Sequence, residues 1–235
     1  MRAVIFVNGV IADPVRLRGW VRDTDYLVAA DGGAHHCLAM GRLPHVVVGD
    51  LDSIAPALVE TLVGQGVDVE RHPTSKDQTD LELAIERAIR DGATEMVLLG
   101  ALGGRLDQSL ANVLLLARRD WPATIQLVDE GEVATVLRGG EQLELVAQPG
   151  ATVSLLPLSA EVTGITYHGL LYPLKDVTLA LGSTRGVSNE VVDAPATVRI
   201  RSGLALVIQT VGDTVPAQAN RREHKERKGD SHFPK

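Results

Sequence analysis

The chain has little cysteine and few aromatic residues. Among its 235 residues there is one cysteine, Cys37, and aromatic side chains make up 3% of the total. A single cysteine excludes an intrachain disulfide and suits a reducing compartment, so we expect a cytoplasmic protein. The scarcity of aromatic rings leaves few partners on which the ring of a ligand could stack.

Long apolar runs and an excess of positive charge are absent as well. No stretch approaches the roughly 18 apolar residues that a membrane-spanning helix needs. The short apolar segment at 3–7 predicts a first strand rather than a signal peptide. The formal net charge of −7 disfavours general binding to nucleic acids or anionic membranes. We therefore expect neither a nucleic acid nor a membrane among the partners.

Residues 1–130 alternate apolar, β-branched runs with segments of helical periodicity. The clearest helix covers 79–91, where Thr79 and Glu82 also predict a capping box. Short connections between such segments are typical of βαβ units, so we expect an α/β fold with a doubly wound, mostly parallel sheet. The predicted strands are 3–7, 26–30, 45–49, 67–70, 96–100 and 124–129, and the other predicted helices are 14–23, 34–41, 55–64 and 105–119.

The helical periodicity ends near residue 131. Beyond it, short β-rich segments separated by Gly and Pro, the last of them at 196–210, predict an antiparallel β-sandwich. The last 22 residues hold six Lys and Arg against three Asp and Glu and almost no apolar residues, which predicts disorder. The expected domains are an α/β domain at 1–130, a β-sandwich at 131–213 and a disordered charged tail at 214–235.

Carboxylates are grouped in four short polar clusters that follow strands or precede helices. Because the carboxyl ends of parallel strands line the ligand crevice of such a sheet, we expect one acidic site built by four loops. Carboxylates and phosphates are ligands that Mg²⁺ prefers. The alternative is that these residues turn the chain and cap helices. The clusters are DGG (31–33), GDLDS (49–53), SKDQTD (75–80) and GGRLD (103–107).

The last cluster belongs to a glycine loop between a buried strand and a helix. Gly103 and Gly104 would let the backbone approach a phosphate, and Arg105 could bind its oxygens through two N–H groups. Lys76 could hold a phosphate too, although a solvated surface lysine fits its local sequence at least as well. The spacing matches neither a P-loop nor a dinucleotide fingerprint, so the loop alone is a weak indication.

Taken together, the clusters resemble those of the thiamine pyrophosphokinase family. They occur in the family's order, and the resemblance covers nearly the whole chain except the tail. It implies a homodimer formed through the β-sandwich at 131–213, with its two sites between the subunits. It also implies Mg²⁺-dependent transfer of a pyrophosphoryl group from ATP to the hydroxyethyl oxygen of thiamine, giving thiamine diphosphate and AMP. The similar segments are ADGGA (30–34), LPHVVVGDLDSI (43–54), KDQTDLELAI (76–85), GALGGRLDQSLANVLLL (100–116) and GLLYPLKDVTLALGSTRGVSNEV (169–191).

The resemblance also implies residue roles. Either Asp80 or Asp107 could accept the proton of the alcohol. The metal and phosphate-handling acids are Asp50, Asp52, Asp77 and Asp80, and the catalytic set adds Arg105 and Asp107. The residues assigned to ATP and its phosphates are Asp31, Gly32, Gly33, Lys76, Gly103, Gly104 and Arg105. Thiamine is assigned to Ser188 and Asn189, with Tyr172 as a candidate ring partner or, alternatively, a core residue of the β-sandwich.

Two positions depart from the family pattern, and other functions remain open. Gln108 stands where many members have His, which removes a proton shuttle, and Leu206 stands where animal and fungal members have a Trp that stacks on thiamine. The acidic clusters would equally serve a pyrophosphokinase acting on another primary alcohol, such as a hydroxymethylpterin. A non-catalytic thiamine or nucleotide sensor is the remaining alternative, which the intact Asp clusters with Lys76 and Arg105 disfavour.

Overall fold

The computed structural model describes residues 1–118 and 121–211, and the backbone of 222–224. Two compact units divide the chain, one built on Met1–Val136 and the other on Leu137–Gln209. The first unit extends beyond the expected boundary at residue 130 because Glu132–Arg138 forms a strand that pairs with the strand before it. Every helix in the described part of the chain is too short or too polar to traverse a lipid bilayer.

The first unit is organised around a mostly parallel sheet. Its strand order is β7-β6-β5-β1-β2-β3-β4, with β7 antiparallel to β6. The chain adds β2 to β4 on one side of β1 and β5 to β7 on the other, so the order reverses between β1 and β5. The carboxyl ends of strands at such a switch point form a ligand crevice. The strands are β1 (Arg2–Phe6), β2 (Tyr26–Ala30), β3 (Val46–Gly49), β4 (Asp68–Arg71), β5 (Glu95–Leu99), β6 (Thr124–Asp129) and β7 (Glu132–Arg138).

Helices cover both faces of this sheet, which confirms the doubly wound α/β prediction. Phe6, Ala29 and Val47 pack on one face with residues of α2 and α3. The alternate strand residues point to the opposite face, where α4 lies against β2 and β3. The helices are α1 (Pro14–Leu17), α2 (Gly33–Ala39), α3 (Pro56–Gly64), α4 (Asp80–Arg90) and α5 (Leu106–Arg118).

Two helix predictions are corrected. The segment predicted as a helix at 14–23 forms one turn, α1, and then a 3₁₀ turn at Arg18–Trp20. The Arg2 guanidinium donates a hydrogen bond to the Trp20 carbonyl. In a longer helix, that carbonyl would accept from a backbone N–H of the next turn. At α4 the Thr79 hydroxyl accepts from the Glu82 N–H as predicted. The Glu82 carboxylate instead pairs with Arg118 of α5, so the second half of the capping box does not form.

The second unit contains antiparallel sheets that share one core. The sheet orders are β12-β9-β14 and β11-β10-β13-β8-β15. Leu155 and Val207 of the first and Val162 and Val198 of the second belong to one buried cluster, which confirms the β-sandwich prediction. The strands are β8 (Glu141–Glu144), β9 (Thr152–Pro157), β10 (Glu161–His168), β11 (Val177–Ala180), β12 (Asn189–Glu190), β13 (Thr197–Arg199), β14 (Leu204–Thr210) and β15 (Arg222–His224).

One β segment is resolved further and one prediction is corrected. The β-rich segment at 196–210 forms two strands, because the chain turns at Gly203, where φ is +92°. The tail predicted to be disordered at 214–235 contains β15, which pairs with β8 in antiparallel register. Backbone pairing to an edge strand requires no apolar side chain, so composition alone did not predict it. The rest of that predicted tail lies outside the described residues.

Candidate functional site

A cleft of about 610 Å³ opens at the carboxyl ends of the strands in the first unit. Its walls come from the loops after β1, β2, β3 and β5, together with the segment that leads into α4 and the first two turns of α5. Residues of all four predicted clusters line the cleft, and the loop after β1 and the start of α5 add to it. The predicted site residues that line it are Asp31, Asp50, Asp52, Lys76, Asp80, Gly103, Gly104 and Arg105.

Three carboxylates in the cleft converge on one point. Oxygens of Asp31, Asp50 and Asp52 all lie within 4.8 Å of one another. Asp31 is 5% exposed, and its Oδ1 has no hydrogen-bond partner among the described residues. A buried, unpaired carboxylate oxygen is costly in a folded protein unless a ligand takes it. The donor set fits a hard divalent cation, which prefers carboxylate oxygens.

The local backbone explains why these side chains meet. Asp31 follows β2 in a left-handed conformation with φ of 46°, and its N–H donates to the Val48 carbonyl at 2.8 Å. Leu51, between Asp50 and Asp52, has φ of 65°. A left-handed residue turns the chain sharply, and Asp tolerates this conformation better than most side chains. The cluster is therefore produced by turns at the ends of β2 and β3.

Lys76 lies among the acids rather than apart from them. Its Nζ is 2.7 Å from Asp80 Oδ1 and 3.6 Å from Asp50 Oδ2. Burial would lower the pKa of Lys76, but the hydrogen bond and charge of Asp80, with the charge of Asp50, raise it above its ordinary value. Lys76 is thus a protonated cation in the cleft, and the alternative of a solvated surface lysine is excluded for this structure.

Asp80 has an unusual environment for a carboxylate. Burial raises the pKa of Asp80, and the negative charges of Asp50 and Asp31 act in the same direction; together they outweigh the lowering effect of Lys76. The space is tight, since a Cβ on Gly49 would lie 3.0 Å from Asp80 Oδ1 and 3.1 Å from the Cβ of Asp31. A carboxyl of raised pKa in a cleft can take up a proton during a reaction.

The glycine loop forms the opposite wall. Gly103 and Gly104 have φ of 81° and 75°, a conformation that glycine adopts without steric cost. Arg105 lines the cleft, and its Nη2 is 2.5 Å from Asp107 Oδ2. Both side chains of this pair are more than half exposed, so the guanidinium can leave Asp107 for a ligand at little cost.

Four of the site residues predicted for the first unit lie outside the cleft wall. Asp77 and Asp107 are exposed and do not line it, so the acids that come together differ from the predicted metal set. Gly32 and Gly33 are buried at the start of α2. Their role here is close packing, since a Cβ on Gly33 would lie 2.0 Å from the Phe6 carbonyl oxygen.

The predicted thiamine residues belong to the second unit. The Asn189 carbonyl oxygen accepts from the Tyr172 N–H at 3.0 Å, and its amide group donates to the Tyr172 carbonyl at 2.8 Å. Asn189 therefore fastens the loop that carries Tyr172. The Tyr172 side chain is 64% exposed, which excludes the core alternative, and the exposed Ser188 has φ of 58°.

Several residues of the cleft wall were not predicted. Asn8 follows β1 as Asp31 follows β2, so the strand-end rule could have found it. Asn112 follows Arg105 by seven residues, about two helical turns, and this spacing could have found it; Gln108, noted from the sequence only as a departure from the family's His, lines the wall as well. Gln78 and Thr79 lie within the predicted SKDQTD cluster at 75–80, although neither was assigned a role there.

Both units match known family models. A model described as "Thiamin pyrophosphokinase, catalytic domain" matches residues 17–127. A second, described as "Thiamin pyrophosphokinase, vitamin B1 binding domain", matches residues 142–205. The first covers the cleft residues from Ala30 to Asn112 but not the loop after β1, and the second covers Tyr172, Ser188 and Asn189.

Individual relatives agree with these matches. The thiamine pyrophosphokinase of Bacillus subtilis is 27% identical over 195 residues, which are 83% of this chain and 91% of the relative. Thiamine pyrophosphokinase 1 of Oryza sativa subsp. japonica is 27% identical over 77% of this chain and 76% of its own. The crystal structure of thiamin pyrophosphokinase from Geobacillus thermodenitrificans superposes with a TM-score of 0.77 at 30% identity, covering 89% of this chain and 97% of that one. The chain therefore belongs to the thiamine pyrophosphokinase family.

Proposed function

We propose that the protein transfers a pyrophosphoryl group from ATP to the hydroxyethyl oxygen of thiamine, giving thiamine diphosphate and AMP. The observation that carries the proposal is the cleft, where a cluster of three carboxylates, with a buried and unpaired Asp31 oxygen, faces a glycine loop and Arg105. Such an arrangement suits a metal-bound polyphosphate. Membership of the family and both family models support thiamine as the acceptor.

Asp31, Asp50 and Asp52 would hold Mg²⁺, which supplies positive charge against the polyphosphate when it is bound. This set replaces Asp77 by Asp31 and leaves Asp80 free for another task. Lys76, which is held by Asp80 and Asp50, would add fixed positive charge beside the acids, and Arg105 would add a second positive charge from the wall that the glycine loop forms. Charges placed before the reaction stabilise a phosphoryl transition state without reorganisation.

In the transfer, the hydroxyl oxygen of thiamine attacks the β-phosphorus of ATP. The bond from that phosphorus to the oxygen bridging to the α-phosphorus breaks, and AMP leaves with the electron pair. The proton of the hydroxyl passes to a carboxylate. We assign Asp80 to this step rather than Asp107, because Asp80 lines the cleft and its pKa is raised by burial and by neighbouring acids.

The two units divide the work in this proposal. The first binds ATP and the metal, and the loops of the second bind the pyrimidine ring of thiamine. Ser188 and the exposed ring of Tyr172 are available for contact, whereas Asn189 acts chiefly by holding the Tyr172 loop. Asn189→Ala should therefore raise KM for thiamine roughly tenfold, the cost of a lost buried hydrogen bond, and leave KM for ATP unchanged.

We further propose a cytoplasmic homodimer. The support for the dimer lies on α5 of the first unit rather than in the β-sandwich, to which the resemblance assigns the dimer contact. It is a row of exposed leucines at i, i+4 and i+8, namely Leu106, Leu110 and Leu114, each more than half exposed. Leu110→Asp should convert the dimer into a monomer in analytical ultracentrifugation. A wild-type chain that sediments as a monomer at micromolar concentration would contradict this part of the proposal.

The test of the function is AMP release from ATP and Mg²⁺, measured with thiamine, without an acceptor and with a hydroxymethylpterin. We expect release only with thiamine, together with an equal amount of thiamine diphosphate. Release with the pterin alone would favour the pyrophosphokinase of another alcohol. Binding of thiamine and ATP without turnover would favour the sensor. The control for the active-site variants is Asp23→Asn, because Asp23 is an exposed carboxylate outside the cleft.

A further inference from the structure

The glycine loop is fixed by its own carbonyl groups. The Gly100 carbonyl accepts from the Gly9 N–H at 2.8 Å, and the Leu102 carbonyl accepts from the Val10 N–H at 3.0 Å. Between them, the Ala101 carbonyl accepts from Nδ2 of Asn112 at 2.7 Å. Three successive carbonyls are thus held by donors, and Asn112 provides the side-chain donor among them.

The bonding of these three carbonyls determines which backbone groups the loop can present to an anion. A carbonyl oxygen carries partial negative charge and repels a phosphate, whereas a backbone N–H attracts it. With the carbonyls of 100–102 bonded to protein groups, they cannot rotate toward the cleft that Gly103 and Gly104 line. The left-handed glycines then continue the loop to Arg105. The loop is therefore shaped before any ligand arrives.

Asn112 is placed to control this shape. It lies two turns into α5 from Arg105, is 5% exposed and lines the cleft. Its amide donates within a buried environment, where an unmatched carbonyl is expensive. Without that donor the Ala101 carbonyl would have to find another partner, and the peptide that carries it would be free to turn.

We propose that Asn112 is a positioning residue that holds the Ala101 carbonyl, so that the glycine loop keeps the form that receives the polyphosphate of ATP. The inference rests on the proposed function for the identity of the ligand. Asn112 itself need not touch the reacting atoms. Its effect should appear in ATP binding and not in thiamine binding.

The experiment compares Asn112→Leu with Leu115→Ala. Leucine keeps the volume of the asparagine but cannot donate, and Leu115 is buried on the same helix outside the cleft. We expect Asn112→Leu to raise KM for ATP roughly tenfold with an unchanged KM for thiamine. Hydrogen exchange of the amides at 100–104 should quicken in this variant and stay unchanged in Leu115→Ala.

Equilibrium binding of Mg²⁺-ATP by calorimetry separates this inference from the proposed function. If the wild type binds ATP but never releases AMP with thiamine, the function fails, while weaker ATP binding by Asn112→Leu still supports the inference. Unchanged ATP binding in Asn112→Leu overturns it. An equal rise of KM for ATP in Leu115→Ala also overturns it, since helix stability would then explain the effect.

Discussion

At the scale of single residues, Asp50 and Asp52 are two of the three carboxylates that we propose as metal ligands. They flank Leu51, whose left-handed backbone turns both carboxylates toward Asp31. Asp52 is also tied to its neighbour, since the Ser53 hydroxyl donates to Asp52 Oδ1 at 3.1 Å. The GDLDS loop has no other carboxylate that could replace Asp50 or Asp52. We therefore expect turnover to require both.

Asp50→Asn and Asp52→Asn should each abolish thiamine-dependent AMP release while the protein stays folded. An amide oxygen is a weaker ligand than a carboxylate, and losing one metal ligand removes several kcal/mol of transition-state stabilisation. The measurement is turnover at millimolar Mg²⁺ with circular dichroism as the folding control. Near-wild-type turnover in both variants, with Asp23→Asn unchanged, would show that the metal binds elsewhere.

The sequence predicted which residues belong to the site better than it predicted the role of each one. The strand-end rule located Asp31, Asp50 and Asp52, but sequence did not show that Asp31 joins the other two. That depends on the pairing of β2 with β3, which brings Ala30 beside Val48. Asp77 and Asp80 are close in sequence, yet Asp80 enters the cleft and Asp77 is exposed, because α4 begins between them.

At the scale of elements, a charged network fastens α4 to the edge of the sheet. Arg87 of α4 bonds Asp68 and Glu70 of β4 and also Asp91, with N–O distances of 2.6 to 2.8 Å. Burial would raise the pKa of Glu70, but hydrogen bonds from Arg90, Arg87 and His72 lower it below its ordinary value. The pKa of Asp91 is lowered too, since bonds from Tyr26 and Arg87 outweigh burial.

Arg87→Met should lower the free energy of unfolding by about 1–2 kcal/mol at neutral pH, because the pairs are partly exposed and screened. Carboxylates with lowered pKa stabilise the fold above their unfolded pKa, and this contribution is lost as the pH falls through the folded value. The difference between wild type and variant should therefore shrink below about pH 4. Urea titrations at several pH values measure it.

The exposed pair of Arg42 with Asp23 provides the matched control. Arg42→Met should cost less than about 0.5 kcal/mol, since a surface ion pair contributes little. If Arg87→Met is as mild as this control at neutral pH, the network does not hold α4 to β4. If the difference in free energy of unfolding between wild type and Arg87→Met stays constant as the pH is lowered, lost packing rather than lost charge is responsible.

Elements with strong periodicity were predicted well, and short ones were not. The strand at 26–30 and the strand at 124–129 have the predicted limits, and α4 covers 80–90 of the predicted 79–91. Local pattern decides such elements because burial on one or both faces sets their residue types. The helix predicted at 14–23 failed because Arg2, distant in sequence, takes the Trp20 carbonyl.

At the scale of the whole molecule, the charged C-terminal segment contributes a strand. β15 pairs with β8, so β8 is no longer the edge of its sheet. Composition predicted disorder for this segment, since it has almost no apolar side chains to bury. Composition does not predict pairing at a sheet edge, because the pairing is made by backbone N–H and C=O groups. Every residue except proline has both of these groups.

Deleting residues 214–235 should leave thiamine-dependent AMP release intact, because the cleft residues all precede residue 113. The amides of β8 should exchange faster in the truncated chain, since they lose the pairing with β15. Turnover and hydrogen exchange measured on the same samples test both statements. A truncated chain that loses activity would show that the tail belongs to the catalytic machinery.

Because Asp31 Oδ1 is buried without a partner, we expect the stability of the native state to depend on the concentration of the ligand that takes this oxygen. A group that binds only the native state stabilises it by mass action, by about 2.7 kcal/mol at 100 times its Kd. The melting temperature should therefore rise with Mg²⁺ and then with Mg²⁺-ATP. In the absence of metal, Asp31→Asn should melt above the wild type, because it removes one of the crowded negative charges. A wild type that melts at the same temperature with and without Mg²⁺ would rule this out. In a cell short of magnesium, the enzyme would then lose abundance as well as activity.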